Sequence, residues 1–250
     1  MRILLVNDDG YSCQGIIKLA TALSKENEVL VVAPHKCNSG MSHAMTFGKT
    51  IYLKKRDGFP YQCYSVTGTP ADCVKLGMEI SASNPPDMVI SGINTDLNIG
   101  TDVVYSGTAN AALEAVLEGV PSVALSVKHV DDEDYDDVIV DFLANFEFIR
   151  SLVSTEYALN INYPNKAQKI GEYVITKLGK RKFTDVYIVG SEEDAKGIPH
   201  SLVGTPLPIS NDEDCDVVWY EKGYTTITPI TMDRTNYDAL KALTTPKGED

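Results

Sequence analysis

The run Ile3-Leu4-Leu5-Val6 has no polar face, so a strand built on it must be covered on both sides. Further apolar stretches of strand length recur at 29–33, 88–91, 121–125 and 159–163. Between the first four lie segments with helical spacing, at 16–23, 70–80 and 103–117. Alternation of this kind folds as a parallel sheet with helices on both faces. Two short runs, 50–53 and 61–66, flank Asp57-Gly58 and read as a hairpin. Thr69-Pro70 opens its helix with an N-cap and a proline at the first helical position. Residues 135–152 read as a helix behind the acidic run 131–137, itself a solvated loop and helix N-terminus.

Past residue 178 the pattern loosens. The sequence predicts an α/β core over 1–178 with 221–232, and an extended hairpin arm over 179–220. The segment 233–250 is expected to be a short helix and tail.

The first strand runs directly into Asn7-Asp8-Asp9-Gly10. Adjacent carboxylates repel, and one of them titrates high unless a cation lies between them. In an open α/β sheet, ligands bind beyond the carboxyl ends of the strands. The pair therefore reads as half of a divalent-metal site, or else as a turn that uses Asp-Gly for its backbone geometry.

Three other segments fall at strand ends or helix starts: Asn38-Ser39-Gly40, Ser91-Gly92-Ile93-Asn94 and Tyr105-Ser106-Gly107-Thr108. A parallel sheet brings all of them to one edge. Two carboxylates, a serine hydroxyl and an asparagine amide oxygen are hard donors suited to Mg²⁺ or Mn²⁺. The Ser106, Gly107 and Thr108 amides at a helix N-terminus offer an anion seat. A metal beside an anion seat is equipment for phosphoryl hydrolysis by an activated water. Asp8 and Asp9 are candidates for the catalytic base, and His43 for protonating the leaving oxygen. Thr69 is a second residue able to face the site, whereas Cys73, Lys75 and Met78 read as helix-face residues.

Composition narrows the partners. Twenty-two Lys and Arg against 35 Asp and Glu give a net charge of −13, which argues against a nucleic-acid polymer. Five scattered cysteines without a C-x-x-C pair predict reduced thiols and a cytoplasmic location. No apolar run reaches the roughly 20 residues of a membrane span, so no membrane partner is expected.

The ordered motifs resemble those of the SurE family. They are Asn7-Asp8-Asp9-Gly10, Ser39-Gly40 with Ser42-His43, Gly68-Thr69-Pro70-Ala71-Asp72, Ser91-Gly92-Ile93-Asn94 with Asn98 and Gly100, and Tyr105-Ser106-Gly107-Thr108. Asn160-Ile161-Asn162 and Gly223-Tyr224 with Ile227-Thr228-Pro229 extend the match downstream. The resemblance implies a Rossmann-like, mostly parallel sheet flanked by helices, with a protruding C-terminal β-hairpin arm. It also implies a homodimer or homotetramer that exchanges C-terminal elements. The implied activity is metal-dependent release of phosphate from nucleoside 5′-monophosphates, with 3′-monophosphates and short polyphosphate as further candidates. One divalent cation per subunit, Mg or Mn, would be held by Asp8, Asp9, Ser39 and Asn94. Asn94, Ser106, Gly107 and Thr108 would hold the substrate.

The chain also departs from the family pattern. His35-Lys36-Cys37-Asn38 replaces a loop that usually carries Arg, and Asp96 stands where Gly is usual. These changes frame the competing reading, a nucleotide-binding sensor that keeps the fold without turnover. A receiver-like signalling domain is disfavoured, because an amide, Asn94, stands where its phospho-accepting Asp would be.

Overall fold

Ile3 and Leu5 pack into one apolar cluster and Leu4 and Val6 into another, so the first strand is buried on both faces. A computed structural model of the chain describes residues 1–128, 132–164, 169–190 and 196–245, with 132–134 and 169–170 as backbone only. Its elements begin with β1 (Arg2–Val6), α1 (Gln14–Leu23), β2 (Glu28–Pro34), β3 (Leu53–Arg56), β4 (Gln62–Val66), α2 (Pro70–Ile80) and β5 (Met88–Asn94). A short 3-10 helix, Gly100–Val104, leads into α3 (Gly107–Leu117) and β6 (Ser122–Val127). Then come α4 (Asp132–Ala144), α5 (Phe146–Leu152), β7 (Ala158–Tyr163) and β8 (Lys169–Ile175). The chain continues through β9 (Val186–Val189), β10 (His200–Val203), α6 (Asp216–Glu221), β11 (Tyr224–Ile230) and α7 (Tyr237–Thr244).

Among the described residues the main sheet runs β3-β4-β2-β1-β5-β6-β7-β11-β8. The stretch from β4 to β7 is parallel throughout. From β1 the chain winds outward through β2 to β4, then returns to β5 and winds the other way. The topological switch therefore lies between β1 and β5, where a crevice opens beyond the strand ends. Ile16 and Leu19 of α1 and Tyr135 and Phe142 of α4 cover one face, and Cys73 and Val74 of α2 and Ala111 and Ala115 of α3 the other. Each fully buried Leu, Ile or Phe contributes roughly 1.5–3 kcal/mol.

The structure refines several expected boundaries. The helix expected over 103–117 is split: the 3-10 turn ends at Val104, and Ser106 caps α3. The helix expected over 135–152 is two, interrupted at Asn145, whose side-chain amide turns back onto the Asp141 carbonyl at 3.0 Å. Of the acidic run, Asp131 lies outside the described residues. Within 179–220, β9 and β10 pair as an exposed two-stranded ribbon. Cys215 and Val217 are instead buried with Ile99, so the end of that stretch packs against the core. No helix among the described residues is long and apolar enough to cross a membrane.

Candidate active site

The buried strand β1 ends by delivering Asp8 into the crevice, only 3% exposed, with Asp9 half-buried beside it. Asn7 closes the turn, its side chain accepting from the Gly10 N–H at 3.1 Å and donating to the Gly10 carbonyl at 3.0 Å. Gly10 has φ +104°, and a Cβ there would meet the Pro34 carbonyl at 3.2 Å, so glycine serves both the turn and the close passage of β2. The Asn38 N–H donates to the Asp8 carbonyl at 2.7 Å, tying the Ser39 loop to the acidic pair.

From the other side, α3 points its N-terminus at Asp8. A Cβ on Gly107 would lie 2.9 Å from that of Asp8, so only glycine lets the helix come this close. Thr108 donates its hydroxyl to Asp8 Oδ1 at 2.6 Å, and its backbone N–H also serves that carboxylate. Burial nonetheless pushes the Asp8 pKa up to about 6, with the Thr108 hydroxyl opposing and the Asp9 charge adding. Asp9 accepts from the Thr95 N–H at 3.3 Å and from the Thr95 hydroxyl at 3.4 Å.

The register of β5 against β6 shifts between Ser91 and Asn94, and this irregularity brings Asn94 to the site. Asn94 Nδ2 donates to the Asp96 carbonyl at 2.6 Å, which leaves Oδ1 as the atom to face a cation. Beneath this loop, Asn98 is held by three side chains. Its N–H donates to Asn162 Oδ1 at 2.8 Å, its carbonyl accepts from Asn160 Nδ2 at 2.6 Å, and its Nδ2 donates to Ser126 Oγ at 2.8 Å. Asp96 is exposed and accepts from the Leu97 N–H at 2.8 Å.

Asp8, Ser39, Asn94, Asp96, Asp102 and Ser106 all line one cleft of about 170 Å³. Larger hollows of about 540 Å³ behind the 3-10 helix and about 250 Å³ at the opposite end of β1 lack the acidic pair. Among the described residues no cluster of three or more His, Cys, Asp or Glu is arranged for a metal. The donors here are of mixed type, two carboxylates completed by hydroxyl and amide oxygens, and they fit a hard divalent cation. A buried carboxyl titrating near 6 is also one that a cation would keep ionised.

Two expected roles meet different geometry. The amides of Ser106, Gly107 and Thr108 were expected to seat an anion, yet the first turn of α3 serves Asp8 through Thr108. Ser106 spends its hydroxyl on the Ala109 N–H at 2.9 Å. His43, expected at the leaving oxygen, sends Nε2 to Glu114 at 2.6 Å, and its Nδ1 is buried without a hydrogen-bond partner. Glu114 also meets Lys75 at 2.7 Å, and His43 first and then Lys75 hold its carboxyl below the usual range despite burial. Ser42 adds a second tie by donating from Oγ to the Val104 carbonyl at 2.7 Å. Thr46 adds a third by donating to Asp72, the residue that closes the capping box of α2.

Several residues that shape the site escaped the sequence reading. Glu114 had one available signal, a carboxylate inside the small apolar run 109–116 of α3. Asp102, which burial pushes up and Arg181 opposes, and Asp216, which is fully buried, gave none.

A crevice at the switch point of a parallel sheet, lined with hard oxygen donors and facing a helix N-terminus, defines a Rossmann-like α/β protein. Within that class the chain belongs to the SurE family, whose sequence model, described as "Survival protein SurE", matches residues 3–185. It is 40% identical over 256 residues to a protein named 5′-nucleotidase SurE from Caldanaerobacter subterraneus subsp. tengcongensis, covering 98% of this chain and 97% of the relative. It is 41% identical to the protein of the same name from Pseudothermotoga lettingae, covering 97% and 93%. Among solved structures it is similar to the crystal structure of the SurE protein from Aquifex aeolicus. The TM-score is 0.79 at 31% identity, over 97% of this chain and 98% of that one.

Proposed function

We infer that the chain is a 5′-nucleotidase that releases phosphate from nucleoside monophosphates with the help of a divalent cation. The observation that carries this reading is the joining of Asp8, Ser39 and Asn94 in one cleft, with Asp9 adjacent to Asp8. Near-full-length likeness to proteins named 5′-nucleotidase supports it. Asp8, Asp9, Ser39 and Asn94 would hold one Mg or Mn ion. When bound, that ion supplies Lewis acidity toward phosphate and a lowered pKa for water.

The chain's own residues do the rest. Thr108 orients Asp8, and Thr95 orients Asp9. Gly107, at the first position of α3 and packed against Asp8, would offer its N–H to a phosphate oxygen. His43 positions the Ser39 loop through Glu114. Asp96 lines the same cleft and accepts from the Leu97 N–H through Oδ1.

The same reading includes a cytoplasmic homodimer or homotetramer. Support comes from α7, exposed along its length with Leu243 at 85%, and from the apolar ribbon of β9 and β10. Incubation with AMP or GMP and Mn²⁺, with and without chelator, tests the activity. Metal-dependent phosphate release is expected, and its absence across a nucleotide panel would overturn the reading.

A further inference from the structure

The cleft is lined by three carboxylates, Asp8, Asp96 and Asp102, and by no basic side chain among the described residues. In this reading Asp8 holds the cation, Asp96 accepts from the Leu97 N–H, and Asp102 stands on the wall of the cleft that an anionic phosphate would enter. Asp102 has a dedicated partner: Arg181 Nη1 pairs with its Oδ2, both side chains being about one-quarter exposed.

Arg181 is fixed there from several directions. Its N–H donates to Thr101 Oγ1 at 3.0 Å, and the same hydroxyl donates to the Arg181 carbonyl at 2.6 Å. Its guanidinium lies over the Phe183 ring at 5.0 Å. Gly100 and Gly179, one on each segment, both donate to Asp216, at 2.8 and 2.7 Å. The root of the 180–210 excursion is thus joined to the 3-10 helix that forms the cleft wall.

We propose that Arg181 is a positioning residue of the reaction. By pairing with Asp102 it cancels one negative charge on the cleft wall, so affinity for the anionic substrate is set in part from the root of the arm. This rests on the phosphatase reading. A neighbouring unit charge at a protein surface changes anion affinity by about fivefold.

The test compares wild type, R181A, D102N and R181A/D102N in Mn²⁺. It reads KM and kcat for AMP and, by calorimetry, the affinity for inorganic phosphate. R181Q replaces R181A if truncation unfolds the arm root. R181A is expected to raise KM and weaken phosphate binding about fivefold, with kcat within about twofold of wild type. D102N should not weaken either, and the double variant should return to within about twofold of wild type.

An R181A variant that binds like wild type would overturn the proposal. So would a double variant as weak as R181A, since Arg181 would then touch the anion itself. Equal weakening by D102N alone would reduce the pair to a structural strap and overturn it as well. Absence of turnover in wild type would refute the hydrolytic reading instead, and the phosphate affinities would still decide the role of Arg181.

Discussion

The Thr108 hydroxyl donates to Asp8 at 2.6 Å from the first turn of α3, and this contact fixes which way a buried carboxylate faces. The helix N-terminus gives that carboxylate a favourable field, and the hydroxyl locks its rotamer. T108V keeps the volume and removes the bond. It is expected to weaken Mn²⁺ binding about 10- to 100-fold, the usual range for loss of an outer partner of a metal ligand. Manganese EPR or calorimetry measures this directly. Binding unchanged within twofold would mean that Asp8 is oriented by other contacts.

Asp8 should also cost the metal-free protein stability. Its carboxyl is raised from 3.8 to about 6 in the fold, so the folded state prefers the protonated form. The Asp8 contribution to stability is therefore most favourable below about pH 4, falls as the pH rises to about 6, and is level above that. D8N stays neutral at all pH and can still accept from Thr108. Urea melts in EDTA at pH 7 should find D8N more stable than wild type, by about 3 kcal/mol at most. Activity with Mn²⁺ should be lost. A D8N protein no more stable than wild type in EDTA would remove the strain assigned to this carboxyl.

Glu114 has the opposite sign. His43 and Lys75 hold its carboxyl below the usual range, so its contribution is complete above about pH 4.5 and is lost as the pH falls through its lowered value. E114Q removes the charge and weakens the tie to His43. At pH 7 it is expected to destabilise by about 1–3 kcal/mol, through loss of two charge-assisted bonds. Between pH 5 and pH 3 its Tm should fall less steeply than that of wild type. Parallel Tm curves across that range would show that Glu114 carries no such linkage.

What could be read from the sequence follows from the range of the interactions. Ile3-Leu4-Leu5-Val6 and its counterparts are legible because burial on both faces leaves a local, one-dimensional mark. Thr69, Pro70 and Asp72 are legible because a capping box closes within four residues. Asp8, Ser39 and Asn94 line one cleft, and the sequence brings them together because a parallel sheet sends all its strand ends to one edge. Side-chain allegiance was not legible. Thr108 could serve a phosphate or a carboxylate, and only the 100-residue return to Asp8 decides it. His43 and Glu114 are 71 residues apart, and Asp102 and Arg181 79 apart, with no local pattern linking either pair. The break between α4 and α5 was missed because Asn145 tolerates helical spacing and ends the helix only through its own side-chain bonds to Asp141.

Asp216 offers the sharpest test of how the arm root is attached. Its buried carboxylate accepts from Gly179 and Val217 on Oδ1, at 2.7 and 2.8 Å, and from Gly100 on Oδ2 at 2.8 Å. Burial pushes its pKa up, and the backbone donors oppose this without fully offsetting it. In D216N one oxygen can still serve Gly179 and Val217, but the amide nitrogen then faces the Gly100 N–H, donor against donor. Leaving a buried donor unpaired costs about 1–3 kcal/mol, and the lost charge-assisted character adds to that. D216N is therefore expected to lower stability by about 2–4 kcal/mol in urea melts. The 3-10 helix at Gly100 carries Asp102, so loosening it should also raise KM for AMP more than it lowers kcat. A D216N variant with wild-type stability would mean that the Gly100 and Gly179 segments are held in place without this carboxylate.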